Sequence, residues 1–318
     1  MSRRHSLWLG CALCAGAVAV LWTATVRGQA TTAAAIPGVV AAGTPIELIQ
    51  EGFLFTEGPV GTKDTGLFFT DTQAKPTRIF RIDPKGSVTP LAETQGVNGL
   101  AVNAAGALFG AEMYAKRIVR LDAAGKVVAT VTAGTPDHPI VQPNDLILDA
   151  RGGLYFTDPG TFDPKSTATT HVYYLDPKGA LHLVTDQIAL PNGLTLAPDG
   201  KTLYVDDTKG EEISAFDVHA DGTTGPRRVF ARLAGIVAGQ SSGADGMTVD
   251  SAGRLYVTSR IGIQVLSSTG GHLGTIETPR AAANVAFSGP GKQYLYVAAR
   301  QGIYRLKMLS HGAARPGK

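Results

Sequence analysis

One hairpin recurs along this chain, and its spacing limits the folds available. EGPVGTKDTGLFFTD starts at Glu57, NGLAVNAAGALFGAE at Asn98, NDLILDARGGLYFTD at Asn144, NGLTLAPDGKTLYVDD at Asn192, DGMTVDSAGRLYVTS at Asp245 and NVAFSGPGKQYLYVAA at Asn284. Successive copies begin 41, 46, 48, 53 and 39 residues apart, close to the forty-odd residues of a four-stranded propeller blade. Further alternating segments follow, among them RIFRID from Arg78, RIVRLD from Arg117, HVYYLD from His171, EISAFD from Glu212 and GIQVLS from Gly262. With no amphipathic helix between them, these strands predict an all-β, six-bladed propeller of four-stranded blades over residues 45–309. The last unit ends three strands in, after GIYRLKM, while the strand-like Pro45–Gly52 is left over at the front. That N-terminal strand is expected to complete the last blade and close the ring, leaving only short, protected edges.

The remainder of the chain is of a different kind. Arg3, Arg4 and His5 precede an apolar run from Leu7 to Trp22 and a polar stretch ending in Gly28-Gln29-Ala30, the layout of a secretory signal peptide over residues 1–30. An uncleaved anchor is the competing reading, because the run is almost long enough to span a bilayer. Cleavage would remove both cysteines, Cys11 and Cys14, so the exported, periplasmic or secreted protein would have no disulfide and no thiolate metal site. It would also remove Arg3, Arg4 and Arg27, leaving 26 basic against 26 acidic residues. A neutral chain lacks the basic footprint of a nucleic-acid binder, and none of the mature chain calls for membrane association. A small-molecule substrate is the expected partner; the oligomeric state is not set by these features. Residues 31–44 read as a flexible N-terminal segment, and the small, polar, basic 310–318 as a disordered tail.

In a propeller the innermost strand of each blade lines the axis, so the residue opening each copy sits on one rim of the channel. Those residues are Glu57, Asn98, Asn144, Asn192, Asp245 and Asn284, every one with a side-chain oxygen acceptor. A competing reading makes Asn98-Gly99 and Asn192-Gly193 tight turns. Convergence of six such side chains favours instead a hard divalent cation, calcium, magnesium or manganese before zinc.

TEGPV at Thr56–Val60, PNDLILDARGGLYFTDP at Pro143–Pro159, PNGLTLAPDGKTLYVDDT at Pro191–Thr208 and ADGMTVDSAGRLYV at Ala244–Val257 together resemble the gluconolactonase and senescence marker protein (regucalcin) family of six-bladed propeller lactonases. The resemblance covers about Pro45 to Lys307. It implies hydrolysis of a sugar lactone or similar cyclic ester, with calcium or zinc as the ion. It puts Glu57, Asn192 and Asp245 on the family's metal ligands and Asp245 on the carboxylate proposed as general base. Asn144 falls on a position that supports the metal or touches substrate, so it stands as a candidate for both; Asn98, Gln142 and Asn284 are the other candidate substrate contacts. Two departures are visible: Gln142 where several relatives have Arg, and Gly61 where many have Trp. A propeller binding module for sugar or peptide ligands, or an esterase or isomerase, remain alternatives because fold does not fix function.

Asp71, Asp158 and Asp206 end the second strand of their units, where each either orients the ligands from behind or caps a strand end. Asp145 alternates away from Asn144 and reads as structural. Gly239-Gln240-Ser241-Ser242-Gly243 matches G-x-S-x-G but lacks the strand-turn-helix setting of a nucleophile elbow. Of the histidines, only His138 is placed to approach a substrate.

Overall fold

A computed structural model describes residues 31–161, 168–237 and 239–314. The expected signal peptide and the last four residues of the expected tail lie outside these. Among the described residues no helix is long and apolar enough to cross a membrane.

Six four-stranded antiparallel sheets form a ring of blades. Their innermost strands are Thr56–Gly61, Val97–Val102, Leu146–Leu148, Pro191–Leu196, Met247–Val249 and Asn284–Ser288 for blades 1 to 6. Burial falls from the axis outwards. Val97–Val102 and Pro191–Leu196 are buried at every residue, whereas the outermost strand of blade 2, Val127–Thr132, is intermediate or exposed throughout. Inner strands are covered on both faces by neighbouring blades and therefore carry apolar side chains on both; outer strands have one wet face.

The apolar core divides into six clusters, one per blade interface. Blades 3 and 4, for instance, meet through Ile147, Tyr155 and Val172 against Leu194, Leu203 and Phe216. The ring closes as the repeat predicts: Glu47–Glu51 pairs antiparallel with Gly302–Lys307 of blade 6, Gln50 opposite Ile303 and Glu47 opposite Arg305. The Arg305 Nε lies 2.8 Å from a Glu47 carboxylate oxygen across this seam.

Two segments differ from expectation. Residues 31–44 are not a flexible lead-in. Thr32–Ala33 pairs with Thr44–Pro45, and the Val39 N–H donates to the Ile36 carbonyl at 2.9 Å around a Pro37-Gly38 turn with Gly38 at φ 70°, the geometry for which glycine is the favoured residue. This turn carries Ile36, Val39 and Val40 into the apolar cluster between blades 5 and 6. The tail is likewise docked through its first residues. The Ser310 hydroxyl is 2.8 Å from the Tyr256 hydroxyl, the His311 carbonyl accepts the Ser251 N–H at 2.8 Å, and Ala313 is buried between blades 4 and 5.

Truncating a side chain in the N-terminal strap tests its docking. Ile36→Ala is expected to destabilise the protein by about 2–4 kcal/mol, the usual range for emptying a buried Ile site, measured as a shift in the urea unfolding midpoint. An unmoved midpoint would mean that the strap contributes nothing to the core.

Candidate active site

The axial mouth is shaped by irregularities at the start of the inner strands. In blade 1 Glu57 pairs with Thr70 and Val60 with Phe68, so two residues oppose one between them; blades 2 and 4 repeat this between Val97 and Leu100 and between Pro191 and Leu194. Such bulges bend a strand and re-aim its side chains. They fall at Asn98-Gly99 and Asn192-Gly193 in blades 2 and 4 and, one residue later, at Gly58-Pro59 directly after Glu57 in blade 1. In blades 3 and 5 the regular strand starts only at Leu146 and Met247, leaving Asn144 and Asp245 ahead of it.

Four of the six acceptors, Glu57, Asn98, Asn192 and Asp245, are followed by a glycine that the packing between blades requires. A Cβ on Gly58 would overlap the Asn98 carbonyl, one on Gly193 the Asp245 carbonyl, and one on Gly246 the Asn284 side chain. The inner strands approach so closely here that only glycine fits. Hydrogen bonds run across the same gaps, from Gly99 N–H to the Asn144 carbonyl at 2.8 Å and from Gly246 N–H to the Ala283 carbonyl at 2.7 Å.

Glu57, Asn98, Asn144, Asn192 and Asp245 line one cavity of about 420 Å³, with Phe55, Met113, Tyr114, Gln142, Thr208 and Arg300 among its other walls. The sixth rim residue is arranged differently. Asn284 is absent from the lining; its Nδ2 donates to the Glu57 Oε2 at 2.9 Å, and the Gly58 N–H donates to the same oxygen at 2.8 Å. The expectation that Asn284 contacts substrate is therefore corrected: being one blade behind Glu57, it reaches that carboxylate and holds it. Asn192 is oriented through Thr208, which accepts from its Nδ2 at 3.1 Å and donates to the Ala244 carbonyl at 2.6 Å.

Burial raises the Asp245 carboxyl well above the usual carboxylate range, and the nearby charge of Glu57 raises it further; Arg300 and the Asn192 amide oppose both. Two acids thus face each other where water is scarce, an arrangement that favours a proton or a cation between them. The Asn98 Oδ1 is also buried with no hydrogen-bond partner. Carboxylate and amide oxygens, with no thiolate or imidazole in the lining, suit a hard divalent cation. Among the described residues there is no cluster of three or more His, Cys, Asp or Glu, as expected if half of the donors are amides.

The aspartates at the second strand ends divide into two kinds. Asp158 accepts the Val141 and Gln142 N–H groups at 2.6 and 2.7 Å, tying down the loop that presents Gln142 and Asn144. Burial raises its carboxyl while those N–H groups oppose the rise. Asp71 does the same for Leu54 and Phe55, and in blade 4 the matching residue is Asp207, which accepts from Leu190 at 3.0 Å. Asp206 is thus not the counterpart of Asp158. It lies one residue earlier, fully buried beside the ligand strand; one oxygen accepts the Gly193 N–H at 3.0 Å, and the other, Oδ2, has no hydrogen-bond partner. Burial first, and then the charge of Asp245, raise its carboxyl well above the usual range. Asp145, by contrast, turns away and caps the Leu146 N–H at 2.9 Å.

Sequence reasoning missed Arg300 and Thr208. Arg300 sits at a hairpin tip of blade 6 with its guanidinium 4.6 Å from the centre of the Phe55 ring; hairpin tips differ between blades, so no repeat signal marks it. Of the two departures from the family pattern, Gln142 lines the cavity, whereas Gly61 faces the Phe287 carbonyl and Ser288 at the far end of its strand. The Ser241 and Ser242 hydroxyls donate to the backbone carbonyls of Thr208 and Asp207, tying a loop rather than forming a nucleophile elbow. His138 stacks edge-on against Tyr173, 5.8 Å between ring centres, away from the cavity lining.

This architecture recurs in known proteins. Residues 55–301 match the model of the SMP-30/Gluconolactonase/LRE-like region. A gluconolactonase from Zymomonas mobilis is 27% identical, covering 98% of this chain and 99% of its own. A pentonolactonase from Haloferax volcanii is 30% identical over 76% of this chain and 80% of its own. The solved structure of a Xanthomonas campestris gluconolactonase superposes with a TM-score of 0.73 at 30% identity, covering 84% of this chain and 90% of its own. The ring of blades, the acceptors at its mouth and these likenesses agree, and the chain belongs to the SMP-30/gluconolactonase/LRE-like family.

Proposed function

We propose that this protein is an exported, metal-dependent hydrolase of lactones, sugar lactones in the first place. The observation that carries the reading is the convergence of Glu57, Asn192 and Asp245, with Asn98 and Asn144 beside them, on one cavity of about 420 Å³. The lactonase names of its relatives supply the substrate class. Export rests on the layout of residues 1–30 and is checked by sequencing the N-terminus of the protein recovered outside the cytoplasm.

Glu57, Asn192 and Asp245 would hold the ion, with Asn144 as a further candidate donor. The oxygen donor set favours calcium, with magnesium, manganese and zinc to be measured against it. When bound, the cation polarises the lactone carbonyl and acidifies a water. Asp245 would take the proton from the attacking water as the water oxygen adds to the carbonyl carbon, and would return it to the leaving ring oxygen. The ring C–O bond then breaks and its oxygen takes up a proton, giving an open hydroxy acid. Asn284 and Gly58 keep the Glu57 carboxylate in place throughout. Asn98, Asn144 and Gln142 offer hydrogen bonds to substrate hydroxyls, and Phe55, Met113 and Tyr114 give the cavity an apolar side.

Three measurements bear on this reading. Chelated protein is expected to lose hydrolysis of gluconolactone in a pH-indicator assay and to regain it with calcium. Activity that survives exhaustive chelation would exclude metal dependence.

Asp245→Asn is expected to lower kcat by about 10²–10⁴-fold, the usual contribution of a positioned base, while retaining part of the calcium affinity. Wild-type turnover in this variant would remove Asp245 from the proton transfer.

The third concerns pH. A carboxyl whose folded pKa is raised, as for Asp245, contributes stability that is full below its unfolded value and is lost as pH rises through its folded value. A cation in place of the proton reverses that trend. The gain in Tm on adding saturating calcium is therefore expected to grow as pH is raised from about 5 to about 8, from near the carboxylate range into the ionised one. A gain independent of pH would separate the cation from these carboxylates.

A further inference from the structure

In each blade, one position on the second strand faces either the rim residue or the one that follows it. It is occupied by Thr70, Ala111, Thr157, Asp206, Thr258 and Ala298 in blades 1 to 6. The three threonines stitch each blade to the next. Their hydroxyls donate to the carbonyls of Asn98 at 2.9 Å, Asn192 at 2.6 Å and Ala283 at 2.9 Å. Alanine at two of the remaining positions shows that the fold also accepts a small apolar residue there. Only blade 4 has an ionisable group at this place, and its stitch to blade 5 is made instead by Thr208, through the Ala244 carbonyl.

Asp206 is therefore not required by the architecture. It is also an unfavourable choice for the fold alone, since a fully buried carboxylate with an unpartnered oxygen loses hydration that nothing restores. Its location shows what could compensate. The carboxylate lies between the two strands that carry Asn192 and Asp245: it accepts the N–H of Gly193, and its Oδ2 would be 2.8 Å from a Cβ on that glycine, which also abuts the Asp245 carbonyl. It does not line the cavity, so it is not placed to touch substrate.

We propose that Asp206 is a positioning residue for the cation: it holds the Asn192-Gly193 strand and adds a carboxylate beside Asp245, behind the two strands that carry Asn192 and Asp245, strengthening divalent-cation binding at the expense of the metal-free fold. This rests on the reading that Glu57, Asn192 and Asp245 hold a cation.

Two variants test it. Asp206→Asn keeps the shape and removes the charge, and Asp206→Thr installs the side chain used in blades 1, 3 and 5. Calcium binding measured by isothermal titration calorimetry is expected to weaken about 10- to 100-fold in both, the range found for groups that orient metal ligands from behind. The Tm of chelated Asp206→Thr is expected to rise above that of chelated wild type. The opposite signs distinguish the proposal from a purely structural role, in which stability and affinity would fall together. Calcium affinities within twofold of wild type in both variants would overturn it, as would a lower metal-free Tm in Asp206→Thr accompanied by weaker binding; Asp206→Asn keeps the affinity test valid if the threonine variant does not fold. Wild type that binds none of calcium, magnesium, manganese or zinc would overturn the cation reading itself. Binding in wild type that Asp245→Asn weakens and the Asp206 variants do not would overturn only the role of Asp206.

Discussion

Neighbouring inner strands meet at the axis more closely than a side chain would permit, and the rest of the molecule is arranged around that approach. Gly58, Gly99, Gly193 and Gly246 stand where a Cβ would overlap the next blade. With no side chain at those positions, backbone hydrogen bonds pass directly from blade to blade. The residue before each glycine then has little choice of direction. Bulges in blades 1, 2 and 4 and late strand starts in blades 3 and 5 send it into the mouth of the ring. The geometry of the site is thus a by-product of how the blades close on one another.

That closure collects acids in a poorly hydrated place. Glu57 and Asp245 face the cavity and Asp206 lies beside Asp245 behind the wall, and Asp245 and Asp206 are held well above the usual carboxylate range, first by burial and then by a neighbouring acid. Hydrogen bonds from Asn284 and Gly58 hold the Glu57 carboxylate in place. An arrangement of this kind is unfavourable for folding and favourable for binding a cation, the usual trade at functional sites. The six apolar clusters between the blades make it tolerable, since each interface contributes to the core independently of the mouth.

The blade count, the closing strand and the five acceptors that line the cavity were legible in the sequence, because the hairpin repeat fixes both the period and which residue faces the axis. Three features were not. The strap at 31–44 is rich in Ala, Gly and Pro, so its burial depends on Ile36, Val39 and Val40 finding a gap between blades that no local pattern reveals. Asn284 carries the same signal as the other rim residues, yet a neighbouring carboxylate captures it. In blade 4, Asp206 and Asp207 are adjacent aspartates that only strand register separates, Asp207 pairing with Pro191 and leaving Asp206 to face Asn192. A one-residue difference on a strand reverses the face, and with it the role.

Register and position also decide which departures from the family pattern matter. Gly61 lies at the end of its strand remote from the mouth, pressed against blade 6, and has no route to a substrate. Gln142 does line the cavity and is neutral. The one cation among the described lining residues is Arg300, in blade 6, held over Phe55. In a ring of six, blades 3 and 6 lie across the axis from each other. Guanidinium groups bind carboxylates and hydroxyls with directional, paired hydrogen bonds that a glutamine cannot match. The cavity's strongest polar donor therefore enters from the wall opposite the one where several relatives carry it.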